Sequence, residues 1–172
     1  LEFETLVVPL FDDDWPERRQ GRDIAPSAGK VPILWVDDDI VVWDSHAILD
    51  WLADAAGADR FWPAQPAARA FARSMVGEMH SGYAALRREC GMNLRHRLSR
   101  TPPLSDEAWT DINRITSLWG EAIGRFGRGG PFLFGDRFGA ADAFFAPVVT
   151  RLITYAVPVD EGAATYMQAV IT

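Results

Sequence analysis

The sequence predicts a small α+β unit followed by an all-α helical bundle, with the boundary near residue 60. Two short apolar runs joined by an acidic link indicate a β-hairpin, and a helix-start signal comes directly after them. Beyond Phe61 the apolar residues recur at helical spacing instead. We therefore predict two domains, residues 1–60 and residues 61–172.

The hairpin is the most regular part of the predicted first domain. Its strands are expected at residues 31–36 (VPILWV) and 40–43 (IVVW), and the link consists of Asp37, Asp38 and Asp39. Compact apolar runs separated by a short polar link are typical of adjacent antiparallel strands.

The chain on either side of the hairpin is predicted from its composition and from helix signals. Residues 3–10 are apolar and β-branched, which favours a strand. Residues 11–29 are rich in Asp, Arg, Pro and Gly, which indicates a loop or a short irregular helix. After the hairpin, Ser45 is expected to be the N-cap of a helix that ends at Gly57.

Three long helices are predicted in the second domain. The apolar stripe of the first helix consists of Phe71, Met75, Met79, Tyr83 and Leu86. Ser105 is expected to cap the second helix, which carries apolar residues as far as Phe126. The third helix is predicted from about Ala140 to Tyr155.

The charge balance and the cysteine content exclude several classes of function. Seventeen basic and 24 acidic side chains give a net charge of −7, which disfavours nucleic acid as a partner because phosphate backbones attract basic surfaces. The single cysteine, Cys90, excludes an internal disulfide and a cysteine-based zinc cluster. The three histidines have no carboxylate partner at ligand spacing, so no metal site is expected.

Targeting signals are also missing from the sequence. No apolar run is as long as a membrane span, and the first residues do not resemble a signal peptide. We therefore expect a cytoplasmic protein without membrane contact. Both ends are predicted to be trimmed, because Leu1 stands where an initiating Met would and residues 169–172 end inside an apolar segment.

Two motifs resemble those of the cytosolic glutathione S-transferases of bacterial type. Residues 27–34 (SAGKVPIL) and 41–49 (VVWDSHAIL) are similar to the glutathione-binding half of that family. Residues 134–138 (FGDRF) and 140–143 (AADA) resemble the signature of its helical domain. The motifs stand in the family's order, and the resemblance covers essentially the whole chain.

The resemblance implies a thioredoxin-like domain, with the order β1-α1-β2-α2-β3-β4-α3, ahead of the helical bundle. It makes residues 3–10 the second strand, so the first βα unit, about 30 residues, is expected to be missing. In the family, the residue that acts on the glutathione sulfur lies in that unit. The resemblance therefore leaves the catalytic residue of this chain unknown.

The glutathione site implied by the resemblance consists of Lys30, Val31, Pro32, Asp44 and Ser45. A cis peptide before Pro32 would turn the N–H and C=O of Val31 outward, where they can pair with the cysteinyl part of glutathione. Ser45, at the positive end of a helix, would bind the γ-glutamyl carboxylate through its N–H and hydroxyl, and Asp44 would help to hold the ammonium. Lys30 would reach the glycine carboxylate.

Each of these residues also has a purely structural interpretation. Pro32 can be an ordinary trans proline on an edge strand, Ser45 a plain helix cap and Lys30 a solvated side chain. The family more often has Glu before the serine. Asp44 is shorter than Glu, so its carboxylate reaches less far toward the ammonium.

Other residues are assigned secondary roles. The resemblance places Met79, Tyr83 and Arg87 on the helix that lines the pocket for the electrophile, although a helical stripe of Met and aromatic residues is more often core. Cys90 is expected to be a small buried hydrophobe. Asp142 is expected to stabilise the start of the third helix, with Gly139 in place of the family's Ser or Thr cap.

The function implied by the resemblance is that of a homodimeric enzyme that takes glutathione as a substrate and transfers it to a small-molecule electrophile. A glutathione-dependent isomerase or dehalogenase of the same fold is the enzymatic alternative. The alternative from another class is a non-catalytic member that keeps the fold for protein–protein contact.

Overall fold

Two compact units, Leu1–Arg60 and Phe61–Thr172, make up the chain. The computed structural model describes residues 2–10, 12–37 and 39–172. Leu1, Phe11 and Asp38, the last of which belongs to the predicted hairpin link, lie outside the described residues.

The predicted hairpin forms the sheet of the first unit. Strands β1 (Ile33–Trp35) and β2 (Val41–Trp43) pair in the antiparallel sense. Asp37 Oδ1 accepts hydrogen bonds from the backbone N–H groups of Asp39 (2.9 Å) and Ile40 (2.8 Å). An acidic side chain therefore closes the turn through its own following backbone, which is a common use of Asp in turns.

Helical segments flank this hairpin. The irregular stretch before it contains helix α1 (Trp15–Arg18) and a 3-10 turn at Ala25–Ser27. Helix α2 (Ser45–Ala56) follows the hairpin and packs against both strands. Gly57 ends α2 with φ at +98°, a backbone conformation that favours glycine over residues with a side chain.

The strand predicted at residues 3–10 is wrong. No strand forms over residues 2–10, and the side chains of Phe3, Leu6 and Val7 are 79%, 76% and 81% exposed. A strand needs a partner for its N–H and C=O groups and a face on which to pack. Among the described residues the sheet contains β1 and β2 only, so the favourable composition of residues 3–10 finds neither.

The second unit is helical throughout its regular structure. Its helices are α3 (Pro66–Ser81), α4 (Ala84–Glu89), α5 (Asp106–Ala122), α6 (Ala140–Thr154) and α7 (Glu161–Ile171). Ser105 caps α5 as predicted, because its Oγ accepts from the N–H of Ala108 at 3.2 Å. A π-helical turn, Ile123–Gly127, follows α5, so Phe126 does not lie on a regular α-helix.

One predicted long helix is two helices in the structure. The apolar stripe predicted a single helix as far as Leu86, but α3 ends at Ser81 and α4 begins at Ala84. Between them Tyr83 adopts a left-handed conformation with φ at +60°. The stripe predicted which side chains are buried and missed the break in the backbone.

The break depends on contacts that helical periodicity does not report. A Cβ on Gly82 would lie 2.6 Å from the carbonyl oxygen of Glu78, so the turn leaves no room for a side chain there. Arg87 donates from Nη2 to the Met79 carbonyl at 2.5 Å and from Nε to the Gly82 carbonyl at 3.1 Å. These bonds satisfy carbonyl groups that the end of α3 leaves without helical partners.

Helix α7 is absent from the sequence-based predictions. It begins after Asp160, whose carboxylate accepts from the N–H of Ala163 at 2.8 Å, and this N-cap is the signal that could have found it. The helix buries Tyr166 in the core of the unit. There the Trp119 ring lies 4.9 Å from the Tyr166 ring and 5.8 Å from the Phe145 ring, measured between centroids.

Candidate functional site

The residues predicted to bind glutathione lie at one end of the hairpin. The ladder pairs Ile33, the first residue of β1, with Trp43, the last residue of β2. The predicted site residues directly precede β1 or directly follow β2: Lys30, Val31, Pro32, Asp44 and Ser45. Because the paired strands end together, these two segments meet at the same end of the sheet.

The segment before β1 is held by a buried serine. The Ser27 hydroxyl accepts from the backbone N–H of Lys30 at 3.0 Å and also contacts the carbonyl oxygen of Lys30. The peptide between Val31 and Pro32 is cis, as the resemblance implies. Val31 is 46% exposed and Lys30 is exposed, so this segment presents both residues to solvent. Ser27 has no role in the sequence-based predictions, since a serine in a turn carries no specific signal.

The segment after β2 contains a correction. Ser45 is the first residue of α2, and the N-cap is Asp44, whose Oδ1 accepts from the N–H of His46 at 2.9 Å. Asp44 has φ at +75°, which is uncommon for a residue with a side chain but tolerated by Asp. The carboxylate of Asp44 reaches the amide two residues ahead, so it fills the capping role that was predicted for Ser45.

This shift by one residue changes what the helix terminus offers to a ligand. The cap by Asp44 occupies the N–H of His46, and the N–H and hydroxyl of the half-buried Ser45 stand ahead of it at the positive end of a 12-residue helix. The neighbouring segment adds Val31, which is exposed as a residue, and the ammonium of Lys30. Together these groups suit a ligand with carboxylates and a peptide backbone.

The residues predicted to line an electrophile pocket are placed differently from one another. Met79 and Tyr83 are buried, at 5% and 7% exposure, which agrees with the alternative that the stripe is core. Arg87 is exposed, and its guanidinium donates to the carbonyls of Met79 and Gly82 at the break after α3.

Tyr83 belongs to a hydrogen-bond network that connects α3 to α5 through Glu78 and Arg114. Its hydroxyl donates to Glu78 Oε1 at 2.8 Å, and Arg114 donates to the two oxygens of the same carboxylate at 2.7 and 2.9 Å. Burial and the bond to Glu78 raise the pKa of Tyr83, whereas the bond from Arg114 lowers the pKa of Glu78. Glu78 and Arg114 are 36 residues apart in the sequence, so no local pattern predicts the pair.

Asp142 has the structural role that was expected. Its Oδ2 accepts from the N–H of Gly139 at 2.8 Å, and its Oδ1 accepts from the N–H of Leu133 at 3.1 Å. Gly139 has no side chain to return the bond, so one half of the reciprocal cap exists. Burial raises the pKa of Asp142 although both hydrogen bonds oppose that shift.

Among the described residues, neither Cys90 nor the other possible metal ligands form a second reactive or metal-binding site. Cys90 is buried, and burial raises the pKa of its thiol, which disfavours the reactive thiolate. Over the described ranges, no group of three or more His, Cys, Asp or Glu side chains is arranged to hold a metal ion. The same ranges contain no helix that is both long enough and apolar enough to span a membrane.

Comparisons with known proteins identify similar sequences and structures. The family model "Glutathione S-transferase, N-terminal domain" matches residues 1–55. Glutathione S-transferase GstB of Escherichia coli (strain K12) is 28% identical over 131 residues, which cover 72% of this chain. The chain spans 59% of the length of that curated relative.

Two solved structures share the fold at low identity. A glutathione transferase homologue from Lodderomyces elongisporus, solved with two glutathione molecules per subunit, has a TM-score of 0.61 and 17% identity; 94% of this chain and 76% of that chain are covered. The Tau class enzyme MiGSTU of mango, Mangifera indica, has a TM-score of 0.65 and 15% identity, with 100% and 78% covered.

These matches establish the fold class as a thioredoxin-like unit with a helical unit after it. The sequence model, the curated relative and the solved structures all point to one family. Residues 1–55 match the N-terminal domain of the glutathione S-transferases, and the chain is similar to proteins of that family over most of its length.

Proposed function

We propose that the protein binds glutathione at the hairpin end and transfers it to a small electrophile. The observation that carries this proposal is the register of the hairpin, which brings the Val31–Pro32 segment and the start of α2 together within the part of the chain that the family model matches. The glutathione bound in the L. elongisporus homologue supports the choice of ligand.

Each part of glutathione has a partner in this proposal. The γ-glutamyl carboxylate accepts from the N–H and hydroxyl of Ser45, where the helix dipole favours an anion. The backbone of Val31 beside Pro32 pairs with the cysteinyl unit, and Lys30 attracts the glycine carboxylate. Asp44 already caps α2, so its contact with the ammonium has to coexist with the bond from His46.

Transfer requires the glutathione sulfur to react as a thiolate. A free cysteine thiol has a pKa of about 8.5, so a small fraction is ionised at neutral pH. A hydrogen-bond donor or a positive charge near the sulfur would increase that fraction. We do not assign any of the five proposed binding residues as the donor or charge that favours the thiolate.

Calorimetric titration with glutathione tests the binding proposal. Ser45→Ala should weaken binding at least tenfold, because it removes a hydrogen bond to the ligand carboxylate. A hydrogen bond to a charged group contributes about 1.5–3 kcal/mol. Ser74→Ala is the matched control, because Ser74 is an exposed helical serine in the other unit and the same hydroxyl is removed there. Equal affinity of the parent and Ser45→Ala, or no binding to the folded parent, would refute the site.

Asp44→Asn separates the two roles of the capping residue. Asparagine is as good an N-cap as aspartate, so α2 should keep its start. Loss of the negative charge should nevertheless weaken glutathione binding if the carboxylate attracts the ammonium. Unchanged affinity in a variant of unchanged stability would leave Asp44 as a cap only.

Product analysis distinguishes the enzymatic alternatives. A transferase consumes one glutathione per turnover and forms a thioether, whereas an isomerase returns glutathione unchanged and a dehalogenase forms a halide-free product that carries no glutathione. Binding without turnover of any electrophile would favour the non-catalytic alternative. We also propose a homodimer in the cytoplasm as the working state, which sedimentation of the purified protein and fractionation of the source cells would check.

A further inference from the structure

A cavity of about 720 Å³ lies along the connection between α4 and α5, within the helical unit. Sites for small molecules have volumes of about 300–1,000 Å³ and mostly apolar walls. The apolar residues that line this cavity are Leu98, Pro102, Pro103, Leu104 and Trp109. Met79, Tyr83 and Arg87, which the resemblance assigns to the electrophile pocket, are not among its lining residues. The cavity is therefore a separate candidate site.

Hydrogen bonds to the end of α6 hold the wall formed by residues 98–104. The N–H of Leu98 donates to the Thr154 carbonyl at 2.8 Å, and the Thr101 hydroxyl donates to the Ala156 carbonyl at 2.6 Å. The segment contains no helix or strand, but its two consecutive prolines have fixed φ angles. Because the wall is anchored in this way, a ligand that enters the cavity has little chain to order.

Trp109 gives the cavity an aromatic wall. It is the fourth residue of α5 and is half-buried. Among the residues that the structure describes, its indole N–H donates to no acceptor and its ring meets no other aromatic ring. A planar aromatic ligand in the cavity can therefore pack against the indole, and the N–H is available to donate to a polar group of that ligand.

Arg100 gives the same cavity a positive charge. Of the described residues that line the cavity, it alone is charged, and the exposed acids at the start of α5, Asp106 and Glu107, are not among them. Arg100 is exposed, and within the described ranges its guanidinium forms neither a hydrogen bond nor an ion pair. A guanidinium presents five N–H donors in a plane that matches a carboxylate. A positive charge beside apolar walls suits a ligand that joins an apolar body to an anionic group.

We propose that this cavity binds a small aromatic carboxylate, with the ring against Trp109 and the carboxylate on Arg100. The competing explanation is a cleft that holds only water, beside an arginine that is an ordinary solvated side chain. The two explanations differ, because a water-filled cleft does not select a carboxylate over a neutral molecule of the same shape. The inference does not rest on the proposed glutathione site, since no residue of that site lines the cavity.

Titration with 2-naphthoate tests the proposal, and 2-naphthamide, which has the same rings without the charge, is the ligand control. Calorimetry measures the affinities, and the NMR signal of the Trp109 indole N–H, identified by its loss in Trp109→Phe, reports where the ligand binds. Naphthoate should bind to the parent in the micromolar to low-millimolar range and shift that signal. Naphthamide should bind at least tenfold more weakly. Arg100→Gln should weaken naphthoate binding by about tenfold and change naphthamide binding by less than about twofold.

Arg95→Gln is the matched control variant. Arg95 is also exposed in the connection between α4 and α5 and has no ion pair in the described part of the chain, but it does not line the cavity. Its substitution should leave naphthoate affinity within about twofold of the parent, and circular dichroism should show both variants folded, since both arginines are exposed.

Several results would overturn the proposal. Equal weakening by Arg95→Gln and Arg100→Gln would mean general attraction to a basic segment. Equal affinity of the parent for naphthoate and naphthamide, no binding of naphthoate, or binding that leaves the Trp109 signal in place would each show that the cavity does not select an aromatic carboxylate. Ser45→Ala should leave naphthoate affinity unchanged, so a failed glutathione site and a failed cavity site give different results.

Discussion

Removal of the Asp142 carboxylate should destabilise the second unit by more than a simple helix cap would. The carboxylate accepts from Gly139 at 2.8 Å and from Leu133 at 3.1 Å, and Asp142 and Leu133 are 1% and 0% exposed. A hydrogen bond to a charged group contributes about 1.5–3 kcal/mol, and Asp142→Ala also leaves the buried Leu133 N–H without its partner. The cost of burying the carboxylate offsets part of this, so we expect a loss of about 2–4 kcal/mol.

Urea denaturation at pH 7, followed by tryptophan fluorescence, measures this loss as a shift of the midpoint. Asp142→Asn keeps one carbonyl acceptor and should lose roughly half as much. Asp136→Ala is the control, because this exposed acid lies in the loop between Leu133 and Gly139 and should change stability by less than about 0.5 kcal/mol. Hydrogen exchange at the Leu133 amide should accelerate in Asp142→Ala. A midpoint equal to that of Asp136→Ala would refute the reasoning.

The unfolding free energies of the parent and Asp142→Asn should differ by an amount that changes with pH in a definite direction. Burial raises the pKa of Asp142 above its ordinary value of 3.8, so the folded state binds the proton more tightly than the unfolded state. The contribution of this carboxyl to stability is therefore greatest at low pH and falls as the pH rises through the window just above 3.8. The difference in unfolding free energy between the parent and Asp142→Asn should shrink across that window. A difference that grows with pH would contradict the assigned direction.

Three further substitutions test close packing and charge. Gly130→Ala should cost about 2 kcal/mol or more in urea denaturation, because the new Cβ would lie 2.2 Å from backbone atoms of Gly135. Gly120→Ala, inside α5 with no atom within 4 Å of the added Cβ, should instead stabilise the protein by about 0.5–1 kcal/mol, and a loss there would contradict the open space. Arg114→Gln should destabilise the protein at neutral pH. Arg114 lowers the pKa of Glu78 below its ordinary value of 4.5, so this effect should fade as the pH falls below 4.5, and an effect that persists in acid would argue against the ion pair.

Several elements followed from the sequence because their causes are local. The hairpin depends on two apolar runs and on Asp37, which closes the turn through its own neighbours. Ser105 and Gly57 mark helix ends for the same reason, since a cap acts within one turn. The sequence also predicted that Pro32 and Ser45 belong to one binding site. That prediction came from the resemblance to the family, because nothing in the spacing of the two residues indicates it.

Other features were decided by tertiary structure. The composition of residues 3–10 favours a strand, yet strand formation needs a partner, and the described residues supply none. The break between α3 and α4 depends on Arg87 reaching back to the carbonyls of Met79 and Gly82, which helical periodicity cannot reveal. Asp44, and not Ser45, caps α2 because of its backbone conformation, which sets the carboxylate on the His46 amide.

The same division explains the sites. The residue types of the proposed glutathione site are visible in the sequence, whereas their meeting at one hairpin end depends on the register of the ladder. Arg87, Arg97 and Arg151 appear in the sequence as ordinary charged residues. Only the packing of the 87–100 segment against α6 gives Arg97 and Arg151 their hydrogen-bond partners, Thr154 and Cys90, because side-chain neighbours distant in sequence are chosen by the fold.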